Sequence, residues 1–359
     1  MKWVVGEPCP DFRIFNGGNK ARMDIVNIAG EMGFCPLRIE APFVSVVKKT
    51  DMLKKALLRP AMYYAWFKAL RRVRRGDIVL LQIPLTYNIG LIAPLLSAAK
   101  KRGVKIIAVL HDLEFLRKAD CIEKVDRGSS EYRREMRLLK CCDKIIVHNT
   151  KMKKFVTDYL GFAGDRRVVL GIFDYLQEER GAEKNTGNSN GIVFAGNLTE
   201  IKSGFLYNLP PEPDFELYGA NYQVKEAERN VHYHGAFRPE ELPDALAGRY
   251  ALVWDGSSCD TCVGRYGLYM KYNNPHKTSL YLSLGLPVII WEEAALADFI
   301  LERGCGIAVQ SLGELSSVLQ SVGELRYAEM KNAAEAEGKK LRSGFYTKRA
   351  IGECLTCIE

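Results

Sequence analysis

Pro275 stands where a helix can begin but cannot be continued from upstream, and His276, Lys277 and Thr278 follow it at once. A helix opening here presents free backbone N–H groups and the positive end of its dipole. Cations in a first turn work against that dipole, so His276 and Lys277 make little sense for helix stability. They make good sense as partners of a diphosphate. The rival reading is a lysine that simply extends into solvent. Asn274 precedes the proline, and Trp254-Asp255-Gly256 lies one loop upstream.

A second centre could move a proton. Leu110-His111-Asp112-Leu113-Glu114 follows the apolar run Lys105–Val109. A carboxylate at the carboxyl end of such a strand can take the proton of an attacking hydroxyl. Asp112 is the expected base, Glu114 the alternative, and His111 their neighbour; the rival reading is a polar pair that anchors a loop. Phe194-Ala195-Gly196-Asn197 ends another apolar run, with Lys202 shortly after. Glycine there lets backbone N–H groups approach a phosphate. Tyr218 and His234-Gly235-Ala236-Phe237 end two more runs. An aromatic ring and exposed amides at those ends suit a nucleobase, or ordinary core packing. Asn16-Gly17-Gly18 is a glycine turn ahead of a helix, a weak signal alone. The chain contains no Asp-x-Asp, so no metal is expected on the diphosphate and no cofactor is called for.

Positioning these groups requires strand ends, and the chain supplies them in two series. Apolar runs at Cys35–Glu40, Asp77–Pro84, Lys105–His111, Lys144–His148 and Arg167–Ile172 alternate with helical patterns. The helices are expected near Lys20–Met32, Met52–Arg75, Asn88–Lys101, Ser129–Cys141 and Thr150–Leu160. Gln177–Asn190 is polar, glycine-containing and aperiodic, as a linker is. The alternation restarts with strands at Ile192–Ala195, Phe215–Tyr218, Val231–His234, Tyr250–Trp254, Pro287–Trp291 and Gly306–Val309. Helices fit Pro239–Ala247, His276–Leu284, Ala294–Glu302 and Leu312–Val322. Strand–helix alternation implies parallel α/β sheets with helices on both faces. Two doubly wound, Rossmann-like domains then face each other across a cleft between strand carboxyl ends. That is the architecture called GT-B when glycosyltransferases use it. The expected division is residues 1–175, a linker 176–190, and residues 191–342, with a helix at 343–359.

Composition fits this plan. The 359 residues, 47% hydrophobic and 26% charged, suit two globular cores. Ile78–Ala99 lacks charge, but Gln82, Pro84, Asn88, Gly90 and Pro94 interrupt it, which argues against a membrane span. The pairs Cys259/Cys262 and Cys354/Cys357 lie too far apart to read as a zinc site, so reduced thiols are expected. Between Phe43 and Arg75, ten cations (Lys48, Lys49, Lys54, Lys55, Arg59, Lys68, Arg71, Arg72, Arg74, Arg75) meet one acid, Asp51. Interleaved with Tyr63, Trp66 and Phe67, they read as a face for anionic membrane or an acidic acceptor, or as a helix with its apolar side on its own core. No nucleic-acid fold accompanies the charge. No secretion signal is visible at Met1–Pro8, so a cytoplasmic protein, peripheral at the inner face of the membrane, is expected.

The run Trp254-Asp255-Gly256…Asp260-Thr261-Cys262…Asn274-Pro275-His276-Lys277-Thr278-Ser279-Leu280-Tyr281-Leu282…Gly285-Leu286-Pro287-Val288-Ile289 resembles bacterial β-1,6-galactofuranosyltransferases. These are similar to the accessory glucosyltransferases that extend GlcNAc on serine-rich adhesins. The likeness includes Asn16–Asp24, His111-Asp112 and Phe345-Tyr346-Thr347-Lys348-Arg349. It implies a GT-B enzyme with a UDP-sugar donor in the C-terminal domain, a homo-oligomer, and a last helix that crosses back onto the first domain. The expected reaction is inverting, metal-independent transfer of galactofuranose or glucose to a glycan acceptor, lipid-linked or on a glycoprotein. The alternatives are a UDP-sugar 2-epimerase and an inactive GT-B subunit that chaperones a partner.

Overall fold

The structure is a computed structural model that describes residues 1–7, 17–40, 52–85, 91–119, 124–162, 164–177, 190–224 and 230–358. Asn16, Lys48, Lys49, Asp51 and most of the linker, 178–189, lie outside the described residues.

The first half builds β1 (Lys2–Gly6), α1 (Gly17–Glu31), β2 (Cys35–Arg38), α2 (Met52–Leu70), β3 (Ile78–Ile83) and α3 (Ile92–Lys101). It continues with β4 (Lys105–Leu110), α4 (Glu114–Arg117), α5 (Ser130–Cys141), β5 (Lys144–Val147), α6 (Thr150–Asp158) and β6 (Arg167–Val169). The second half builds β7 (Ile192–Ala195), α7 (Glu200–Ser203), β8 (Phe215–Tyr218), β9 (Val231–Tyr233), α8 (Leu242–Ala245) and β10 (Tyr250–Val253). Then come α9 (Gly264–Tyr269), α10 (His276–Ser283), β11 (Val288–Trp291), α11 (Ala297–Glu302), β12 (Gly306–Val309) and α12 (Leu315–Ser321). Two helices close the chain, α13 (Glu324–Arg342) and α14 (Phe345–Thr356).

The sheets run β2-β1-β3-β4-β5-β6 and β12-β11-β10-β7-β8-β9, and every pairing in both is parallel. Parallel strands are covered on both faces, so they need continuous apolar runs and not alternation. Ile78–Ile83 and Tyr250–Val253 are buried along their whole length. The uncharged stretch from Ile78 is thus a strand followed by a helix, and no described helix is long and apolar enough to cross a membrane. The described cysteines, including both CxxC pairs, are free thiols.

The two faces of the first sheet belong to different cores. Val5, Val79, Leu81, Ile106 and Ala108 pack with α2, α3 and α5. Val4, Leu80, Ile107 and Ile146 join a core that reaches Tyr346, Ile351 and the second sheet. The reason is α14, which leaves the second domain and packs on α1, β5 and β6. Its start is fixed by Gly344, whose φ of +75° and closeness to Ile28 (an added Cβ would lie 2.8 Å from Cγ1) leave room only for hydrogen. Asp174 then caps the helix by accepting from the N–H groups of Tyr346 (3.2 Å) and Thr347 (2.6 Å).

Candidate functional site

In each sheet the strand order reverses once, between β1 and β3 and between β7 and β10. Crevices at the carboxyl ends of such strands are where open α/β sheets receive ligands. At the second crevice, α10 opens after Pro275, which offers no side-chain cap. Lys277 reaches back from its first turn to bond Asp255 Oδ1 (2.8 Å) and the Trp254 carbonyl (3.0 Å). Its ammonium lies 4.3 Å from the centre of the Phe194 ring. Lys277, expected to hold a diphosphate, is here half of a buried ion pair, with side chains only 10% and 7% exposed. Burial depresses the Lys277 pKa, Asp255 opposes that, and the charge of Lys202 adds to the depression. Lys202, half-buried on α7, is the more accessible cation; its ammonium stands 5.8 Å from the Tyr266 ring centre. Thr278 is fully buried, which removes it from any ligand surface.

Gly196, Gly219 and Gly235 all hold positive φ at the ends of β7, β8 and β9. A Cβ on Gly219 would fall 1.8 Å from the Gly196 carbonyl oxygen, so the first two turns touch as bare backbone. Gly196 and Asn197 are exposed, and Asn197 Oδ1 accepts from Thr199 N–H and Asn221. Tyr218 is buried and stacked on His234 at 4.6 Å. Ala236 is exposed and Phe237 half-buried beside them.

Across the cleft, β4 delivers His111, Asp112, Leu113 and Glu114. Arg117 binds Glu114 at 2.6 Å and stands 3.7 Å from Asp112. Burial pushes Asp112 up to about 6; the charge of Arg117 first, then the nearby Tyr269 hydroxyl and the charge of Lys202, pull it down, while Glu114 raises it. Beneath this loop, the fully buried Glu135 of α5 accepts from the N–H groups of Glu114 (3.0 Å) and Phe115 (3.5 Å). Burial first, then the nearby Glu114 and Asp112 charges, raise Glu135 to about 8, so it carries its proton at neutral pH. Tyr269 of α9 accepts from Leu113 N–H at 2.9 Å.

Three histidines meet around Phe173. His111 stacks on Phe173 (5.3 Å) and faces His276 of the second domain at 6.2 Å. His276 lies 4.5 Å from the same phenyl ring. His111 Nε2 is 2.6 Å from Gln82 Oε1, so that nitrogen carries the proton. His148 donates from Nε2 to the Leu110 carbonyl (3.0 Å) and accepts Asn274 N–H at Nδ1 (2.9 Å). Burial lowers all three, His148 to about 3 and His276 to about 4, so all are neutral at pH 7. Asn274, expected at the donor, is instead a staple between domains. Its side chain donates to the His148 and Gly171 carbonyls and accepts from Asn149.

At the first crevice a cavity of about 250 Å³ opens among Glu7, Asn19, Arg22, Met23, Asn27 and Gln82. Arg22 stands 3.9 Å from the buried Glu7 carboxylate. Gln82 joins the cavity wall to His111. Among the described residues no group of three or more His, Cys, Asp or Glu is arranged to hold a metal. Gly17 is the first residue of α1.

Residues 11–160 match the glucosyltransferase 3-like N-terminal domain and residues 192–354 the glucosyltransferase 3-like C-terminal domain. The chain belongs to the glucosyltransferase 3-like family. It is 36% identical over 256 residues to the β-1,6-galactofuranosyltransferase WbbI of Escherichia coli K12, covering 70% of this chain and 71% of that one. It is 26% identical over 285 residues to glucosyltransferase 3 of Streptococcus parasanguinis, covering 78% and 79%. The sucrose-phosphate synthase of Thermosynechococcus elongatus shares the fold, with a TM-score of 0.62 at 13% identity over 100% and 99% of the two chains. The fold is GT-B, and this member of the glucosyltransferase 3-like family is a glycosyltransferase, with a sugar donor and a glycan acceptor.

For this glucosyltransferase 3-like chain, three site features escaped the sequence reading. Glu135 had a signal: it lies four residues before Leu139 on the apolar side of an otherwise polar helix. Tyr269 and the Asp255–Lys277 pair had none, since their partners come from elsewhere in the fold.

Proposed function

We propose that the enzyme transfers galactofuranose or glucose from a UDP-sugar to a hydroxyl of a glycan acceptor, in one inverting displacement without a metal. The observation that carries this reading is Asp112, a carboxylate raised to about 6 that feels the charge of Lys202 from across the cleft. At neutral pH it is ionised, and its side chain is half-buried and open to the cleft, as a general base should be. In the proposed step Asp112 takes the acceptor hydroxyl proton while that oxygen bonds to the sugar anomeric carbon. The bond from that carbon to the diphosphate oxygen breaks, and UDP leaves with the electron pair. Lys202, the unpartnered first N–H groups of α10 and the bare turn at Gly196 supply the compensating positive charge. The ends of β8 and β9, with Tyr218, Ala236 and Phe237, are the proposed uracil side.

The cavity at Glu7 and Arg22 is the proposed acceptor seat. Its two opposed charges sit close together, and the rest of the wall mixes the Asn19, Asn27 and Gln82 amides with apolar Val5, Met23 and Val26, which favours a neutral sugar ring over an anionic one. The basic, aromatic outer face of α2 is the proposed contact with anionic membrane.

Asp112→Asn is expected to lose about 100- to 10,000-fold in turnover, while calorimetric UDP affinity stays near wild type. The wild-type rate is expected to fall below an apparent pKa of about 6 and to survive excess EDTA. Retained turnover in Asp112→Asn overturns the base assignment; EDTA inhibition reversed by manganese or magnesium overturns the metal-free mechanism.

A further inference from the structure

We infer that His148 is a positioning residue for transfer: its imidazole spans from the strand end that carries Asp112 to the backbone that opens α10, and so sets the distance between the base and the donor helix. The inference rests on the proposed reading of Asp112 as the base and of the α10 start as the donor cradle.

His148 follows β5 directly and is 1% exposed. On one side its Nε2 lies 3.0 Å from the carbonyl oxygen of Leu110, two residues before Asp112. On the other its Nδ1 lies 2.9 Å from the backbone nitrogen of Asn274, two residues before the start of α10 at His276. A carbonyl can only accept and an N–H can only donate, so Nε2 carries the ring proton and Nδ1 is bare. Burial lowers the ring to about 3, which keeps it neutral and both bonds intact at neutral pH. The two nitrogens belong to one rigid ring. The gap between the two backbones is therefore one imidazole wide.

The second-domain end of this link is held on every side. Asn274 is 3% exposed. Its side-chain N–H groups donate to the carbonyls of His148 itself (2.9 Å) and Gly171 (3.0 Å), and its Oδ1 accepts from Asn149 at 2.8 Å. Asn149 also donates to the Tyr272 carbonyl (2.9 Å), while its own Oδ1 caps α6 through the Met152 N–H. Pro275 keeps Asn274 out of the helical region, which limits how α10 can leave it. Phe173 packs edge-on against His148 at 4.9 Å and lies 4.5 Å from His276, filling the space beside the ring. Base and donor helix are thus joined by two short backbone segments and one imidazole. A reacting centre displaced by ~1 Å can lose about 100-fold in rate, so the width of that link matters to the chemistry.

His148→Leu keeps apolar bulk and deletes both bonds. Expected is a turnover loss of roughly 100-fold, with calorimetric UDP affinity and acceptor KM near wild type, because each substrate still meets its own domain. His148→Gln offers a carbonyl to Asn274 and an amino group to Leu110, and is expected to recover part of the loss. A role confined to packing would favour leucine over glutamine. In unaltered protein carrying isotope-labelled histidine, the nitrogen NMR spectrum is expected to show the His148 ring as the neutral Nε2–H tautomer, assigned by the signal that His148→Gln removes. That spectrum and the glutamine variant keep the test decisive where the leucine variant fails to fold. An Nδ1–H tautomer or a charged ring overturns the inference, as does a loss expressed wholly in UDP affinity. If Asp112→Asn is inactive while folded His148→Leu turns over as wild type, only the positioning role falls. If Asp112→Asn remains active, the base reading falls and takes this inference with it.

Discussion

Lys277 meets the cleft already paired, and that changes what its removal means. Asp255 is 7% exposed and accepts from the lysine at 2.8 Å; without the ammonium it is a buried charge with its counter-ion gone. Breaking such a pair costs about 3–5 kcal/mol, so Lys277→Ala is expected to lower stability in urea melts and to confuse any binding measurement. Lys202 is the cleaner probe. Lys202→Ala should fold normally and weaken UDP by about ten- to a hundredfold in calorimetric titration, the worth of a charge-assisted hydrogen bond. Equal affinities would remove Lys202 from the donor site. The position of Lys277 at a helix start was legible because proline acts locally. Its partner lies 22 residues away, and the packing of α10 against β10 brings them together. Asn274 was misread for the same reason: its neighbours belong to the first domain, and nothing local in Asn-Asn-Pro announces them.

At the scale of elements, buried strands were read best. The bounds of β7, β8 and β12 coincide with the apolar runs, because such strands have no solvent face to blur the pattern. β1 was missed; its apolar core is only Trp3-Val4-Val5, yet it pairs with both β2 and β3. α13 was missed because its sequence is largely polar. It is held by Lys331 on the Gly285 carbonyl (2.9 Å) and by Gly338, where an added Cβ would lie 2.4 Å from the Leu282 carbonyl oxygen. α2 unites both readings of the basic stretch. Met62, Ala65, Trp66 and Ala69 are buried, while Tyr64 is 65% exposed, Tyr63 and Phe67 are also exposed, and the exposed Arg71, Arg72, Arg74 and Arg75 follow the helix, Arg71 over the Phe67 ring. With about 1 kcal/mol per cation near an anionic surface, replacing these four arginines with glutamine should release the protein from acidic liposomes in flotation. Failure of the unaltered protein to float at physiological salt would refute the membrane contact.

At the scale of the whole molecule, the first domain is not closed by its own half of the chain. α14 covers one face of β5 and β6 and buries Tyr346, Ala350, Ile351 and Cys354. Large buried side chains contribute about 1.5–3 kcal/mol each, against a net stability of roughly 5–15 kcal/mol. A chain ending at Arg342 is therefore expected to lose the cooperative thermal transition and to yield mostly insoluble protein; an unchanged melting temperature would show that α14 is dispensable. Asp174 sharpens the dependence, since burial raises its carboxyl to about 6 and the N–H groups of α14 are what offset that burial. The same helix sets an order of events at the ribosome. β6 ends at Val169 and α14 ends at Thr356, so at about 5–20 residues per second the first sheet emerges roughly 10 to 40 s before the helix that seals it. For that interval its bare apolar face is a surface that nascent-chain chaperones would shield. The first domain acquires its final form only when α14 arrives.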